Sequence, residues 1–154
     1  MDIEGLLKSL NDHSARYVVI GAQAFPVHGW GRTTLDIDIL IEPTRENAQR
    51  FHAALAAFGY DLTDVSVEDL LRFKLLVRQY VVACDIHPFV KGANFERVWS
   101  RSVVARYGRT EARFASLDDL IEMKEAAGRP RDLEDLKVLR ELRRNPDTKP
   151  GSDP

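Results

Sequence analysis

The stretch Gly31-Arg32-Thr33-Thr34-Leu35-Asp36-Ile37-Asp38-Ile39-Leu40-Ile41 constrains this chain more than any other. Leu35, Ile37, Ile39 and Ile41 alternate with Thr34, Asp36, Asp38 and Leu40, so a strand buries the first set and carries both carboxylates on its opposite face. Two like charges at i and i+2 on one strand face repel unless a cation lies between them or one keeps its proton. The pair asks for a divalent ion.

A core able to carry such a strand is within reach. The 154 residues, 44% hydrophobic and 30% charged, fit one domain, expected over residues 1–145. The Pro-, Gly-, Ser- and Asp-rich residues 146–154 read as a disordered tail. The start Met1-Asp2-Ile3-Glu4 is acidic where a signal peptide is basic, and no apolar run is long enough to cross a bilayer, so a cytoplasmic protein with no membrane partner is expected. The single cysteine, Cys84, excludes an internal disulfide and a Cys-rich zinc site, and the four histidines lack metal-site spacing. A net charge of -2 gives no general pull toward nucleic acid, although it leaves room for a local basic patch.

Periodicity supplies the elements around the strand. Ile3, Leu6, Leu7 and Leu10 predict an opening helix ending near Asn11. Tyr17 to Ile20 is a short buried strand, stopped by Gly21 and feeding a helix from Ala22 to about His28. A glycine at that junction lets backbone approach a ligand, and the first N–H groups of a helix suit phosphate. From His28 to Arg32 two glycines surround Trp30, which either stacks on a base or pins its loop. Pro43 ends the aspartate strand, and Thr44 caps a helix with Ala48, Phe51, Leu55 and Phe58 on its buried side before Gly59. Ser66-Val67-Glu68-Asp69 has the form of a capping box.

Phe73 to Val77 and Tyr80 to Pro88 read as two strands. The second sets Val82, Cys84 and Ile86 on one face and Val81, Ala83, Asp85 and His87 on the other, with Asp85 in phase to join Asp36 and Asp38. Phe95, Val98 and Trp99 suggest a helical turn, and Ser102 to Arg106 with Thr110 to Phe114 suggest a hairpin around Gly108. Ser116-Leu117-Asp118-Asp119 is a second capping-box pattern, opening a helix through Ala127 that Gly128 ends. Lys124 shares a face with Leu117, Leu120 and Ile121 and points inward or along a groove. Pro130 opens a last helix with Leu133, Leu136, Leu139 and Leu142 as its buried side and a basic, solvated opposite side.

The order strand, Gly21, helix, loop, Arg32-x-Thr34-x-Asp36-x-Asp38 and later Asp85 resembles the nucleotidyltransferase superfamily that includes DNA polymerase beta. The likeness is strongest to its small bacterial members, the minimal and the abortive-infection, toxin-type nucleotidyltransferases, with Met123-Lys124, Ala127-Gly128-Arg129, Asp132 and Asp135 resembling the end of that branch. It spans about residues 17–139. The resemblance implies an α/β (α+β) fold with a mixed, mainly antiparallel sheet backed by helices. It also implies Mg²⁺ (or Mn²⁺) on Asp36, Asp38 and Asp85, with Gly21 and the backbone of Ala22 around the nucleotide phosphates, and Arg32, Thr34 and Lys124 beside them. Hard oxygen ligands suit Mg²⁺, and paired ions stabilise both the attacking and the leaving oxygen of an in-line displacement.

The function implied is transfer of a nucleoside monophosphate from an NTP to a hydroxyl on an RNA end (a tRNA among them), a protein or a small molecule. A toxin–antitoxin or defence role follows from the branch it resembles. The acceptor's proton goes to Asp85 or to His87. So short a chain leaves little room for an acceptor-binding domain, so a homodimer or a partner protein is expected to complete the site. Ala22 stands where the family usually has Gly or Ser, keeping the N–H without a hydroxyl. That favours an alternative, a catalytically degenerate member that binds nucleotide or a partner. A glycosyltransferase or phosphoesterase ranks last, for want of a Rossmann glycine fingerprint or a histidine-rich dinuclear set.

Overall fold

A computed structural model describes residues 2–32, 34–77, 79 and 82–146. Tyr80, Val81 and most of the expected tail lie outside the described residues. The chain runs α1 (Ile3–Asp12), β1 (Tyr17–Ile20), a 3₁₀ segment (Gly21–His28), β2 (Asp36–Ile41), α2 (Arg45–Phe58) and α3 (Val67–Arg72). It continues through β3 (Leu75–Val77), β4 (Ala83–His87), α4 (Phe95–Arg101), β5 (Val103–Tyr107), β6 (Thr110–Phe114), α5 (Leu117–Ala127) and α6 (Pro130–Arg144). The strands form one sheet in the order β3-β4-β2-β1-β6-β5. The pairs β1/β2, β3/β4 and β5/β6 are antiparallel, whereas β2/β4 and β1/β6 are parallel. The fold is α+β, with a mixed, mainly antiparallel sheet and helices packed on it.

Local chemistry explains the boundaries. In α1, Leu6, Leu7 and Leu10 are fully buried and the Asp2 carboxylate accepts from the Gly5 N–H. Thr44 caps α2 by accepting from Asn47 N–H, and Gly59 closes it. Buried Asn47 then does a second job: its Oδ1 accepts from Arg16 N–H at 2.7 Å while its Nδ2 donates to the Arg16 and Glu42 carbonyls. These bonds tie α2 to the outer ends of β1 and β2, the two strands that lead to and carry the aspartates. Ser66 and Asp69 form the complete reciprocal box at α3. At α5 the cap differs from the expected form: Ser116 Oγ accepts from Asp119 N–H at 3.1 Å but donates to the Asp119 carboxylate at 2.9 Å, so the reach back is side chain to side chain.

Three expectations need correction. β2 begins at Asp36, and Leu35 is 83% exposed rather than buried with Ile37, Ile39 and Ile41. The Thr34 hydroxyl donates toward the Asp36 carbonyl and carboxylate, each at 3.2 Å, which bends the chain just before the ladder starts. The segment after Gly21 is 3₁₀ throughout, with Pro26 inside it; a proline without an N–H cannot serve as donor in a continuous α-helix. In α6, Leu133 is 53% exposed, and the buried positions beside Leu136, Leu139 and Leu142 belong to Asp132 and Asp135. The cause lies in the cleft described next.

Candidate functional site

The site follows from strand register. β1 pairs with β2 so that Ile20 lies opposite Asp38, and β2 pairs in parallel with β4 so that Asp38 lies opposite Asp85. Asp36 and Asp38 are two residues apart and therefore share one face, and opposed residues of paired strands point the same way. The three carboxylates stand on one side of the sheet. His87, two residues beyond Asp85 on that face, places Nε2 2.9 Å from Asp38 Oδ1; an ionised carboxylate only accepts, so the ring donates.

Gly21 touches this face directly. Its φ is +68°, and a Cβ there would sit 2.8 Å from Asp38 Oδ2. A side chain is excluded twice, by backbone conformation and by the carboxylate.

The facing wall is helical and basic. Lys124 Nζ on α5 lies 3.0 Å from Asp132 Oδ1 and 3.1 Å from Asp135 Oδ2, both on α6. Arg129 Nε donates to Asp132 Oδ2 at 2.8 Å, and Arg32 Nη1, from the loop before β2, donates to Asp135 Oδ2 at 2.8 Å. These cations draw the two aspartates inward and leave Leu133 outside. Burial alone raises the Asp132 pKa, but hydrogen bonds from Arg129 and Lys124 and the ammonium charge outweigh it and lower the value to about 2. The Arg129 pKa is raised, first by its hydrogen bond to Asp132; burial opposes this, and the charges of Asp132 and Asp38 add to it. Arg129 thus feels both walls.

Between the walls lies a cleft of about 240 Å³, and Gly21, Ala22, Arg32, Thr34, Asp36, Asp38, Asp85 and Lys124 all line it. The candidate metal and phosphate residues are therefore in one place, and Trp30, the candidate for stacking on a base, is not among the lining residues. The lining includes His87, the other candidate for the acceptor's proton, and adds Lys74, Arg129 and Arg131. The sequence reading missed Asp132 and Asp135 as the anchors of the basic wall; their i, i+3 spacing in phase with Leu136 and Leu139 was the available signal. Trp30 stacks on Phe25 with centroids 4.9 Å apart and planes 6° apart, so it pins its loop, and Lys124 Nζ lies 5.8 Å from the other partner, the Phe25 ring. Cys84 is buried on the opposite side of β4 from Asp85.

Asp36, Asp38 and Asp85 offer carboxylate oxygens, the chemistry that a hard divalent cation takes, with the His87 imidazole beside them. In that respect the residues fit Mg²⁺ or Mn²⁺. Among the described residues no group of three or more His, Cys, Asp or Glu side chains is already gathered as a metal site, and one Asp38 oxygen is engaged by His87. Among the described residues no helix is long and apolar enough to cross a membrane.

The fold and cleft define a class in physical terms: an α+β protein whose sheet presents three aspartates to a wall of cations. Compared with protein-family models and with curated proteins, the sequence matches none.

Proposed function

We propose that this chain is a metal-dependent nucleotidyltransferase of the DNA polymerase beta-like superfamily, moving a nucleoside monophosphate from an NTP to a hydroxyl acceptor. The observation that carries the reading is the opposition, across one cleft, of the Asp36/Asp38/Asp85 face and the Arg32/Lys124/Arg129 wall, with side-chain-free Gly21 between them. A nucleoside triphosphate with divalent metal has the complementary parts, a cation for the carboxylates and phosphate oxygens for the basic side chains.

In this reading Asp36, Asp38 and Asp85 would hold Mg²⁺ or Mn²⁺, which when bound supplies Lewis-acid stabilisation of charge on the reacting oxygens. Arg32 and Lys124 bind the phosphates, and the N–H groups that follow Gly21 approach them closely. Thr34 steadies Asp36 through its hydroxyl bond. Asp85 or His87 takes the acceptor proton; a His87 ring that donates from Nε2 to Asp38 keeps Nδ1 as its basic nitrogen. The acceptor is an RNA end, a protein or a small molecule, and a second copy or a partner protein completes its site. A toxin–antitoxin or defence role follows from the same resemblance, and a cytoplasmic place from the acidic N-terminal residues and the want of a long apolar run. A second reading, nucleotide binding without turnover, is favoured by the His87 bond that occupies Asp38 Oδ1 and by the absence of a hydroxyl at Ala22.

The test is incubation with each α-³²P-labelled NTP, Mg²⁺ and an extract of total RNA and protein, wild type against Asp36→Asn/Asp38→Asn. Label moved by the wild type, and reduced by about a thousandfold or more in the variant, is the expected result. Metal-dependent NTP binding with no transfer selects the second reading. Neither transfer nor binding overturns both.

A further inference from the structure

The basic wall is a ladder of alternating sign: Arg32, Asp135, Lys124, Asp132, Arg129. Its four links run from 2.8 to 3.1 Å, and Asp135 Oδ2 is shared by Arg32 and Lys124. The two acids are buried, Asp132 completely and Asp135 to within 4% exposure, while all three cations line the cleft. The cations come from three separate segments, the loop before β2, helix α5 and the α5–α6 junction.

Burying carboxylates is an expensive way to fill space. Desolvation costs several kcal/mol per ion, and well-packed apolar residues of similar volume serve stability as well or better. What apolar residues cannot do is fix cations from three segments relative to one another. A guanidinium carries five N–H donors and an ammonium three, so bonds to two carboxylates leave donors for further oxygens. Three cations against two carboxylates also leave the ladder one positive charge in excess.

We propose that Asp132 and Asp135 are positioning residues, holding Arg32, Lys124 and Arg129 as one preset rack for the oxygens of a polyphosphate chain. The identification of that chain with an NTP rests on the transferase reading; the rack itself does not. Charge counting and positioning make opposite forecasts. Neutralising Asp135 raises the net positive charge of the wall, which by attraction alone tightens anion binding, whereas a rack that has lost its central anchor binds more weakly.

The experiment titrates inorganic tripolyphosphate, with excess Mg²⁺, into wild type, Asp135→Asn, Asp135→Glu, Arg32→Gln and Asp135→Asn/Arg32→Gln, with circular dichroism melts of each. Weakening by about tenfold or more is expected for Asp135→Asn, the scale on which groups that orient a ligand-binding side chain act. Asp135→Glu keeps every charge but moves the carboxylate by one methylene, and weakened binding is expected there too, so the inference remains testable if the Asn variant fails to fold. In the double variant the loss is expected to fall short of the product of the single losses, because Asp135 acts partly through Arg32. Wild-type affinity in both folded Asp135 variants, tighter binding in Asp135→Asn, or losses that multiply fully overturns the proposal. So does a wild type that does not bind tripolyphosphate. If tripolyphosphate binds with the expected pattern while no nucleotide is transferred, the transferase reading falls and the rack stands.

Discussion

On the sheet side of the cleft, Asp36, Asp38 and Asp85 lie on adjacent strands; the Asp38 side chain keeps 30% of its surface exposed, while Asp85 is buried. On the helical side, Asp132 and Asp135 are buried and each accepts from two cations at hydrogen-bonding distance. The residue type is the same and the cleft is the same. On the sheet, register sets the three carboxylates on one face of the cleft and Asp38 accepts from His87; on α6 two carboxylates link three cations in one chain of contacts and are part of the structure. Asp119, at the start of α5, shows that burial alone does not produce the second kind. It is also buried, but Arg97 and Arg101 approach its Oδ1 only to 3.7 and 3.4 Å and that oxygen has no hydrogen-bond partner among the described residues.

The sharpest way to break this comparison is to remove one aspartate from each wall. Asp132→Ala leaves Lys124 and Arg129 facing each other without their shared anchor, and is expected to cost about 3–5 kcal/mol of stability. Asp38→Asn keeps a side-chain oxygen to accept from His87 on a partly exposed face and is expected to change stability by no more than about 1 kcal/mol. Urea unfolding of both variants checks the pair, and equal losses would erase the distinction between the walls. Acid titration gives the same prediction a second readout. The Asp132 pKa is depressed from 3.8 to about 2, so its contribution is present in full above the unfolded value and is lost as pH falls from about 4 toward about 2. Asp132→Asn is expected to flatten that part of the stability curve.

A smaller effect probes the sheet wall from its other side. In Gly21→Ala the new methyl group meets Asp38 Oδ2 in a backbone conformation unfavourable to any L side chain. A loss of about 1–3 kcal/mol is expected, together with weaker Mn²⁺-dependent NTP binding. A thermal melt and a fluorescent-nucleotide titration test it together. Loss of stability without loss of binding would make Gly21 a turn residue and nothing more.

The two walls also differ in how far they could be read from the chain. The sheet wall was legible because strand alternation has a period of two: once Asp36, Asp38 and Asp85 are set on polar faces, pairing β2 with β4 brings them together. Alternation does not mark where a ladder begins, so Leu35 read as buried although the strand starts one residue later. The 3₁₀ form of Gly21–His28 was obscured for a related reason, since its apolar residues are compatible with either helix and Pro26 carried the only local signal. On α6 the difficulty was larger. Leucines at every third position define one stripe and Asp132, Asp135, Leu136 and Leu139 define its neighbour, and hydrophobicity favours the first. The choice was made by cations that periodicity does not count: Arg129 and Lys124 lie three and eight residues before Asp132, and Arg32, 103 residues before Asp135, lies outside any local window.

The rotation of α6 therefore carries the smallest expected effect and a direct check on all the others. Leu133 is 53% exposed, so Leu133→Gln removes little packing and is expected to shift stability by less than about 0.5 kcal/mol. Leu136, at 2% exposure, serves as the control, with Leu136→Ala expected to cost about 2–5 kcal/mol. The two positions are less than one helical turn apart and differ in whether they face the cations' side of α6. A Leu133→Gln loss as large as that of Leu136→Ala would turn the leucine stripe inward and the two aspartates outward. The ladder would then be a set of solvated surface pairs worth little individually, and the contrast between the two walls of the cleft would disappear.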